Sequence, residues 1–573
     1  MNKTFADFGI EIPAGRSGEI DVTCPQCSRE RKKKHARCLS VNIDKGVFCC
    51  QHCGWSGGLG IGEHRVEAAW RKPLYRRPTV APTAPVDAVT AWFESRGIPK
   101  SVLERNRVGS ATVYMPQVEE HVGAIAFPYY RGDELINVKY RDRQKNFRME
   151  TGAERILYGL NDIGEQCIVV EGEVDKLSVE VAGFTSCVSV PDGAPAVNAK
   201  NYASKFAYLE ADEDRILGVK EWILAVDNDE PGKRLEDELA RRLGRENCKR
   251  VLWPDGCKDA NDVLVTHGVE TLRACLENAE PFPIAGVFEL EDLSPRVAHL
   301  YVHGWDKPVS TGWSNMDDLY RVRPGELTIV TGVPGSGKSN WLDALIVNLA
   351  RDHGWNFGIF SPENQPIEDH VARMLEKLGN MPFYDGPTPR MDKGQMEDLL
   401  LLASEHFHWY LPQDEDDWRV DSILSAAKQL VRRKGIRGFV LDPWNELECA
   451  RPREMTETEY ISRELRRIRQ FARQHSVHFW IVAHPQKLQR NADGEYPVPS
   501  MYDISGSSHW RNKADNGICV WRDFQRPHAP IKVVVQKIRF RQNGKLGEAL
   551  FDYKTATATY KPHEIPQSWG NAS

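Results

Sequence analysis

Short, almost wholly apolar runs recur along the second half of the chain, at Leu327–Val330, Phe357–Phe360, Phe439–Leu441 and Phe479–Val482. Two more, Cys167–Val170 and Ile223–Val226, stand near the middle. Runs of this length without polar alternation predict strands buried on both faces, the habit of parallel sheets covered by helices. Trp341, Leu342, Leu345, Ile346 and Leu349 recur at helical spacing, and Glu457–Arg473 reads as a further helix. Earlier, Val89–Arg96 predicts a short helix. The segment GAIAFPYYRGDELINVKYRDRQKNF predicts a β-hairpin turning at Arg131-Gly132-Asp133. The prediction is a multidomain α/β protein.

The ends of the apolar runs carry the chemistry. Gly332-Val333-Pro334-Gly335-Ser336-Gly337-Lys338-Ser339 follows one run and opens the Trp341–Leu349 helix. Strand, Gly-rich turn and helix N-terminus form the arrangement that cradles a triphosphate, with Lys338 toward the β- and γ-phosphates and Ser339 toward Mg²⁺. Other runs end at Glu363, Asp442 and His484. Asp442 reads as the acid that holds Mg²⁺ through water. In the middle of the chain, Cys167–Val170 leads into Glu171-Gly172-Glu173-x-Asp175, and Ile223–Val226 into Asp227-Asn228-Asp229. Carboxylates gathered at the C-terminal ends of α/β strands repel one another and call for a cation, here Mg²⁺. Acidic strand-end turns without a metal are the alternative.

The 573 residues exceed one core, so about three domains are expected. The cysteines number 13, and two CxxC pairs, Cys24/Cys27 and Cys50/Cys53, stand about twenty residues apart. Four such thiolates suit one structural Zn²⁺ in a reducing compartment. Cys49, Cys38, His35 and His52 are possible substitutes; Cys50 is chosen because it completes CxxC ahead of Gly54. Net charge is −6, so no wholly basic coat is present. Basic residues cluster instead, at Arg29–Lys34, at Arg71–Arg77, and at Lys139, Arg141, Arg143, Lys145 and Arg148 on or after the second hairpin strand. Each is a solvated face or a phosphate contact. No run is long enough to span a membrane, and the N-terminus has neither an apolar signal core nor an Arg/Ser-rich leader.

The boundaries drawn are a zinc ribbon at 1–60, a Pro/Ala/Arg-rich flexible linker at 61–86, a middle domain at 87–280 with its α/β part at about 166–270, a linker at 281–305, an NTP-binding domain at 306–560 and a tail at 561–573.

The EGExD and DxDxxG stretches, with Lys258-Asp259-Ala260-Asn261-Asp262 after them, resemble the TOPRIM domain of primases and topoisomerases. With the ordered CxxC pairs, the P-loop and the final KIRF, nearly the whole chain resembles the phage-type primase-helicases and their Twinkle-like relatives. That resemblance implies a zinc ribbon, a TOPRIM RNA-polymerase domain and a RecA-like helicase. It implies roles as well. Glu363 orients the water that attacks the γ-phosphate, His484 senses that phosphate, and Arg539 with Lys537 reaches a neighbouring subunit's nucleotide. Lys487 and Arg490 grip single-stranded DNA. Glu171 serves as the metal-linked acid/base in an Mg²⁺ site with Asp227 and Asp229, while Lys139 and Arg141 hold nucleotide and template. The implied protein is a hexameric or heptameric ring, 5′–3′ on single-stranded and forked DNA. It makes RNA primers and works with a replicative polymerase and a single-stranded-DNA-binding protein in the cytoplasm of a phage or prophage host. One departure is Asn512, where the family often has Gln; another is the tail, which is not strongly acidic. A Twinkle-like helicase with a silent primase domain, and a RecA-like strand-binding ATPase or loader, are the competing readings.

Overall fold

The computed structural model describes residues 4–13, 18–28, 37–43, 47–50, 56–58, 75–78, 82–195, 203–282, 308–412, 417–452, 454–491, 496–506, 508–526 and 528–564, with a few isolated positions besides. The N-terminal module is an antiparallel sheet of β1 (Glu19–Thr23), β2 (Arg37–Asn42), β3 (Val47–Cys50) and β4 (Ser56–Gly58). Its core is small: Phe5, Ile10, Val22, Leu39, Val41 and Phe48. So little apolar burial makes a metal an expected source of folding energy.

The last part of the stretch read as a flexible linker is held. Arg77 pairs with Glu134 at 2.7 Å and with Glu154 at 3.2 Å, and Thr83 bridges Ser110. Composition marks this segment as a linker, yet its ion pairs are formed with residues more than fifty positions away.

The middle domain opens with helices Asp87–Glu94 and Lys100–Arg105 and an antiparallel sheet of β5 (Gly109–Met115), β6 (Glu120–Arg131), β7 (Glu134–Arg141) and β8 (Phe147–Met149). The β6–β7 turn falls at the expected place, with Gly132 at φ +60°, where glycine carries no Cβ penalty. A second sheet follows, ordered β10 (Cys187–Ser189), β9 (Gln166–Val170), β11 (Glu221–Leu224), β12 (Cys248–Arg250), β13 (Glu280–Pro281). It is parallel except for β13. Phe127, Tyr129 and Tyr158 pack into the same core as β9 and β11, so the two sheets form one body.

The C-terminal domain is built on nine strands ordered β16 (Phe407–Trp409), β15 (Phe357–Phe360), β17 (Gly438–Leu441), β18 (His478–Val482), β14 (Leu327–Thr331), β19 (Asn516–Trp521), β20 (Ile531–Ile538), β21 (Gly547–Lys554), β22 (Thr559–Pro562). Pairing is parallel through β19 and antiparallel beyond it. Separate apolar clusters cover its two faces, with Trp341, Leu345 and Trp480 on one and Leu441, Leu465 and Phe479 on the other. The ends of β14, β15, β17 and β18 thereby present Gly332–Ser339, Glu363, Asp442 and His484 along one edge.

Candidate functional sites

Three clusters arise where buried strands or knuckles deliver polar side chains. In the N-terminal module Cys24, Cys27 and Cys50 place their sulfurs within 4.8 Å of one another. Cys38, a substitute named from the sequence, also lies close: its Sγ is 3.9 Å from that of Cys27 and 3.6 Å from that of Cys50. Soft thiolates converging at this spacing fit a tetrahedral Zn²⁺. Cys53, His35 and His52 lie outside the described residues, so the fourth ligand stays open between Cys53 and Cys38.

In the middle domain, β9 and β11 are adjacent and in register, so Glu171 and Asp227 emerge side by side. Burial, and then the neighbouring Asp227, push the Glu171 carboxyl up to about 7. Its Oε1 accepts from the Ala194 amide at 3.0 Å, and its Oε2 is buried without a partner among the described residues. Asp227, Asp175 and Asp259 bring carboxylate oxygens within 4.8 Å of one another. This donor set suits a hard divalent cation such as Mg²⁺. Asp229 stands at its margin, where it caps the Glu230–Leu243 helix through the Gly232 amide at 2.8 Å. Lys258 pairs with Asp227 at 2.9 Å and with Asp229 at 3.0 Å. Asp175 and Asp259 belong to the acidic motifs visible in the sequence, but spacing alone does not single them out as metal ligands. The topology adds them: Asp175 sits in the first turn of the helix after β9, and Asp259 caps the Ala260–His267 helix packed beside it.

Lys139 and Arg141 occupy one side of β7 near this cluster. Lys139 pairs with Glu173 at 2.7 Å, and Glu173 also accepts from Tyr129 Oη at 2.6 Å. Arg141 lies over Trp92, 4.5 Å from the ring centroid, and 6.0 Å from that of Phe147. A mostly buried guanidinium against aromatic faces is suited to an anion joined to a planar base.

In the C-terminal domain the loop after β14 needs its glycines. A Cβ on Gly332 would meet the Val520 carbonyl, and Gly335 and Gly337 hold φ of +77° and +95°. The Lys338–His353 helix starts immediately after Gly337. Lys338 is buried and donates to the Gly332 and Val333 carbonyls at 3.0 and 3.2 Å. Asp442, pushed up to about 6 by burial, accepts from the Ser339 hydroxyl. His484 Nε2 is 3.8 Å from Glu363 Oε1, and burial pushes that imidazole down to about 4, so it is neutral near pH 7. A nucleotide cradle, an acid for Mg²⁺, an exposed carboxylate and a neutral imidazole therefore share one edge of the sheet.

Lys537 and Arg539 are elsewhere. β20 runs antiparallel to β19 and finishes opposite Asn516, which pairs with Thr328 near the start of β14. Arg539 binds Asp515 there at 3.1 Å, and Lys537 Nζ donates to the Ala514 carbonyl at 2.7 Å. Asn512 is beside them, its carbonyl 3.4 Å from Arg539 Nη2. The pair thus stands at the end of β14 away from its own phosphate loop. Lys487 and Arg490 are exposed after β18, and Arg490 lies 4.8 Å over Tyr496.

Comparison with known proteins joins these sites. Residues 308–562 match the DnaB-like helicase C terminal domain, and residues 168–264 match the Toprim-like family. Over 601 aligned residues the chain is 38% identical to the "Twinkle homolog protein, chloroplastic/mitochondrial" of Arabidopsis thaliana, covering 99% of this chain and 82% of that one. The chain belongs to the Twinkle-like primase-helicase family. A second Arabidopsis thaliana relative of this Twinkle-like chain, "Primase homolog protein", is 37% identical over 282 residues, 46% of this chain and 82% of its own. Among solved structures a DnaB-like replicative helicase aligns over 48% of this chain and 70% of its own, at 16% identity and a TM-score of 0.40. The family supports helicase-type NTP hydrolysis and primase-type activity for this Twinkle-like chain. No described helix is long and apolar enough to cross a membrane.

Proposed function

We propose that the chain is a replicative primase-helicase that moves 5′–3′ on single-stranded DNA, unwinds duplex by NTP hydrolysis and makes RNA primers on the exposed strand. The observation that carries the double activity is that both sites keep their chemistry on one chain. Glu171, Asp175, Asp227 and Asp259 converge in the middle domain, while Lys338, Ser339, Asp442, Glu363 and His484 converge in the motor.

In the priming site Asp175, Asp227 and Asp259 would hold Mg²⁺, which supplies charge neutralisation and polarisation of a phosphoryl group. Glu171, held near neutrality by burial, takes a proton from the primer hydroxyl; Lys139 and Arg141 bind the incoming triphosphate and the template. In the motor, Glu363 orients water, His484 reads the γ-phosphate and passes its state to the DNA-facing loop that holds Lys487 and Arg490. Arg539 and Lys537 serve a neighbour's nucleotide, which requires a closed ring, a hexamer or a heptamer. The Cys24, Cys27 and Cys50 module, with Cys53 or Cys38 as its fourth thiolate, reads a short template sequence. Partners are a replicative polymerase and a single-stranded-DNA-binding protein. The working compartment proposed from the sequence is the cytoplasm of a phage or prophage host, and the organelle named for the plant relative is that relative's own.

The test is primer synthesis by the purified full chain on a library of single-stranded templates with labelled NTPs and Mg²⁺. Short RNAs starting at one recurrent sequence, and lost in Cys50→Ser, are expected. No RNA on any template, beside DNA-stimulated NTP hydrolysis, leaves a helicase with a silent primase domain.

A further inference from the structure

The Glu230–Leu243 helix of the middle domain has a polar face that does not meet water. Glu238, Arg241 and Arg242 are each about 4% exposed. Glu238 accepts from Arg241 Nε and Nη2 at 3.0 and 2.8 Å, from Arg242 Nε at 2.7 Å, and from Arg437 of the C-terminal domain at 3.1 Å. The two middle-domain guanidiniums direct further protons to the motor's backbone. Arg241 Nη1 donates to the Ile436 and His475 carbonyls at 3.1 and 3.3 Å, and Arg242 Nη1 donates to the Arg432 carbonyl at 3.2 Å. These carbonyls stand at the C-terminal ends of the Val420–Lys434 and Glu457–His475 helices, where backbone acceptors lack intrahelical partners and a cation is favoured.

A rim of ion pairs surrounds this buried centre. Glu213 takes Arg432 and Arg433, Lys434 pairs with Glu210 at 2.9 Å, and Lys428 approaches Glu246 at 3.7 Å. Acids of the middle domain thus face bases of the motor. Burying charge in this way is costly unless every group is satisfied, and removing one member leaves its partner stranded. Such a network holds one docking geometry rather than a loose set. Its position matters as well. Ile436 leads into β17 and His475 into β18, at the strand ends remote from the phosphate loop. Two residues before His475, Arg473 reaches Asp515 at 3.5 Å, the carboxylate that also holds Arg539.

We propose that the Glu230–Leu243 face is an intramolecular docking surface whose partner is the pair of motor helix C-termini in the same chain. It carries the priming domain as a rigid attachment on the end of the motor that holds the Arg539 pair. Docking there keeps the nucleotide edge open. It also gives the priming domain and the Lys537–Arg539 pair a shared support, the last turn of the Glu457–His475 helix. The functional half of this inference, that priming is tied to unwinding, rests on the primase-helicase reading; the docking itself does not.

Zero-length carbodiimide crosslinking of the full chain tests it, because Lys434 and Glu210 are both accessible and already in contact. Equal amounts of ¹⁴N and ¹⁵N protein are mixed before assembly, and the Lys434–Glu210 product is read by mass spectrometry. The expected product joins peptides of one isotope only. It falls by roughly fivefold or more when Arg241→Ala and Arg242→Ala are combined, and likewise in Arg437→Gln from the motor side. The Lys220–Glu165 pair, exposed and 2.8 Å apart within the middle domain, reports that this domain is still folded. Absence of the Lys434–Glu210 product in the parent protein while Lys220–Glu165 forms overturns the docking. Mixed-isotope products overturn docking within one chain, and undiminished yield in the variants overturns the role of the arginines. In the same variants NTP hydrolysis and priming on short templates are expected to persist, while primers made per length of forked DNA unwound fall severalfold. An unchanged ratio overturns the coupling. If the parent makes no primer at all, the primase reading fails and the crosslink still decides the docking.

Discussion

His478 opens β18 with its ring fully buried. Its Nδ1 donates to the Arg323 carbonyl at 2.6 Å, while Nε2 meets Thr328 Oγ1 at 2.8 Å. Burial pushes this imidazole down to about 3. The unfolded chain binds a proton there below about pH 6.5 and the folded chain does not until about pH 3, so stability is full above 6.5 and is lost as pH falls. Across that window His478 contributes a slope of about 1.4 kcal/mol per pH unit. Thermal unfolding of the full chain between pH 4.5 and 7, followed through the motor's transition, is expected to be less acid-sensitive in His478→Asn by about that slope. Parallel pH profiles for parent and variant would dispose of the argument. Lys338 gives a prediction of another kind. The residue is 5% exposed, and among the described residues its ammonium donates only to its own loop's carbonyls, acceptors that phosphate oxygens would replace. Lys338→Ala is expected to lower NTP hydrolysis by roughly 10²-fold or more, with primer synthesis on short templates nearly unchanged. Hydrolysis near the parent rate would remove the motor assignment. At this scale the sequence was legible where a residue sits in a local motif, as Lys338 does. It was less so for Asp175 and Asp259, whose convergence with Asp227 depends on two helices brought together by tertiary packing.

The Glu457–His475 helix is the element on which much of the motor converges, and its start is written locally. Thr456 accepts from the Glu459 amide at 3.3 Å, and Glu459 accepts from the Thr456 amide at 3.0 Å, a reciprocal cap. Thr456→Ala is expected to cost about 1 kcal/mol and Thr456→Ser much less, read as shifts in the motor's unfolding midpoint. Equal midpoints for all three proteins would show that tertiary packing, not the cap, fixes this end. Strands β9, β11, β14, β15, β17 and β18 were legible as apolar runs because each is covered on both faces. The short strands at the sheet margins were harder, since β16 and β13 have only three and two residues. The Glu230–Leu243 helix was not legible as an interface. In sequence, Glu238, Arg241 and Arg242 have the composition of a solvated face, and only the motor's helix ends turn them into buried partners.

For the molecule as a whole, the separation of Arg539 from its own phosphate loop sets what one chain can do alone. The pair at the end of β20 lies beside Asp515 and the start of β14, with the strand between it and Gly332. In the proposed ring a guanidinium held there would serve a neighbouring subunit's nucleotide, and each working site would be composite: Lys338, Asp442 and Glu363 from one chain, Arg539 from the next. Lys338→Ala and Arg539→Ala proteins should then each be nearly inactive in DNA-stimulated NTP hydrolysis. Mixed in equal amounts before assembly, they should regain activity, because about one interface in four pairs an intact phosphate loop with an intact finger in a random cyclic arrangement. Recovery should follow the mixing ratio, peak near equality and disappear when the two are assembled separately and mixed afterwards at concentrations where rings do not exchange. A mixture as inactive as its components would mean that Arg539 acts within its own chain or only supports Asp515. In that case hydrolysis would not require the ring, and the geometry at the end of β20 would have to be explained by stability alone.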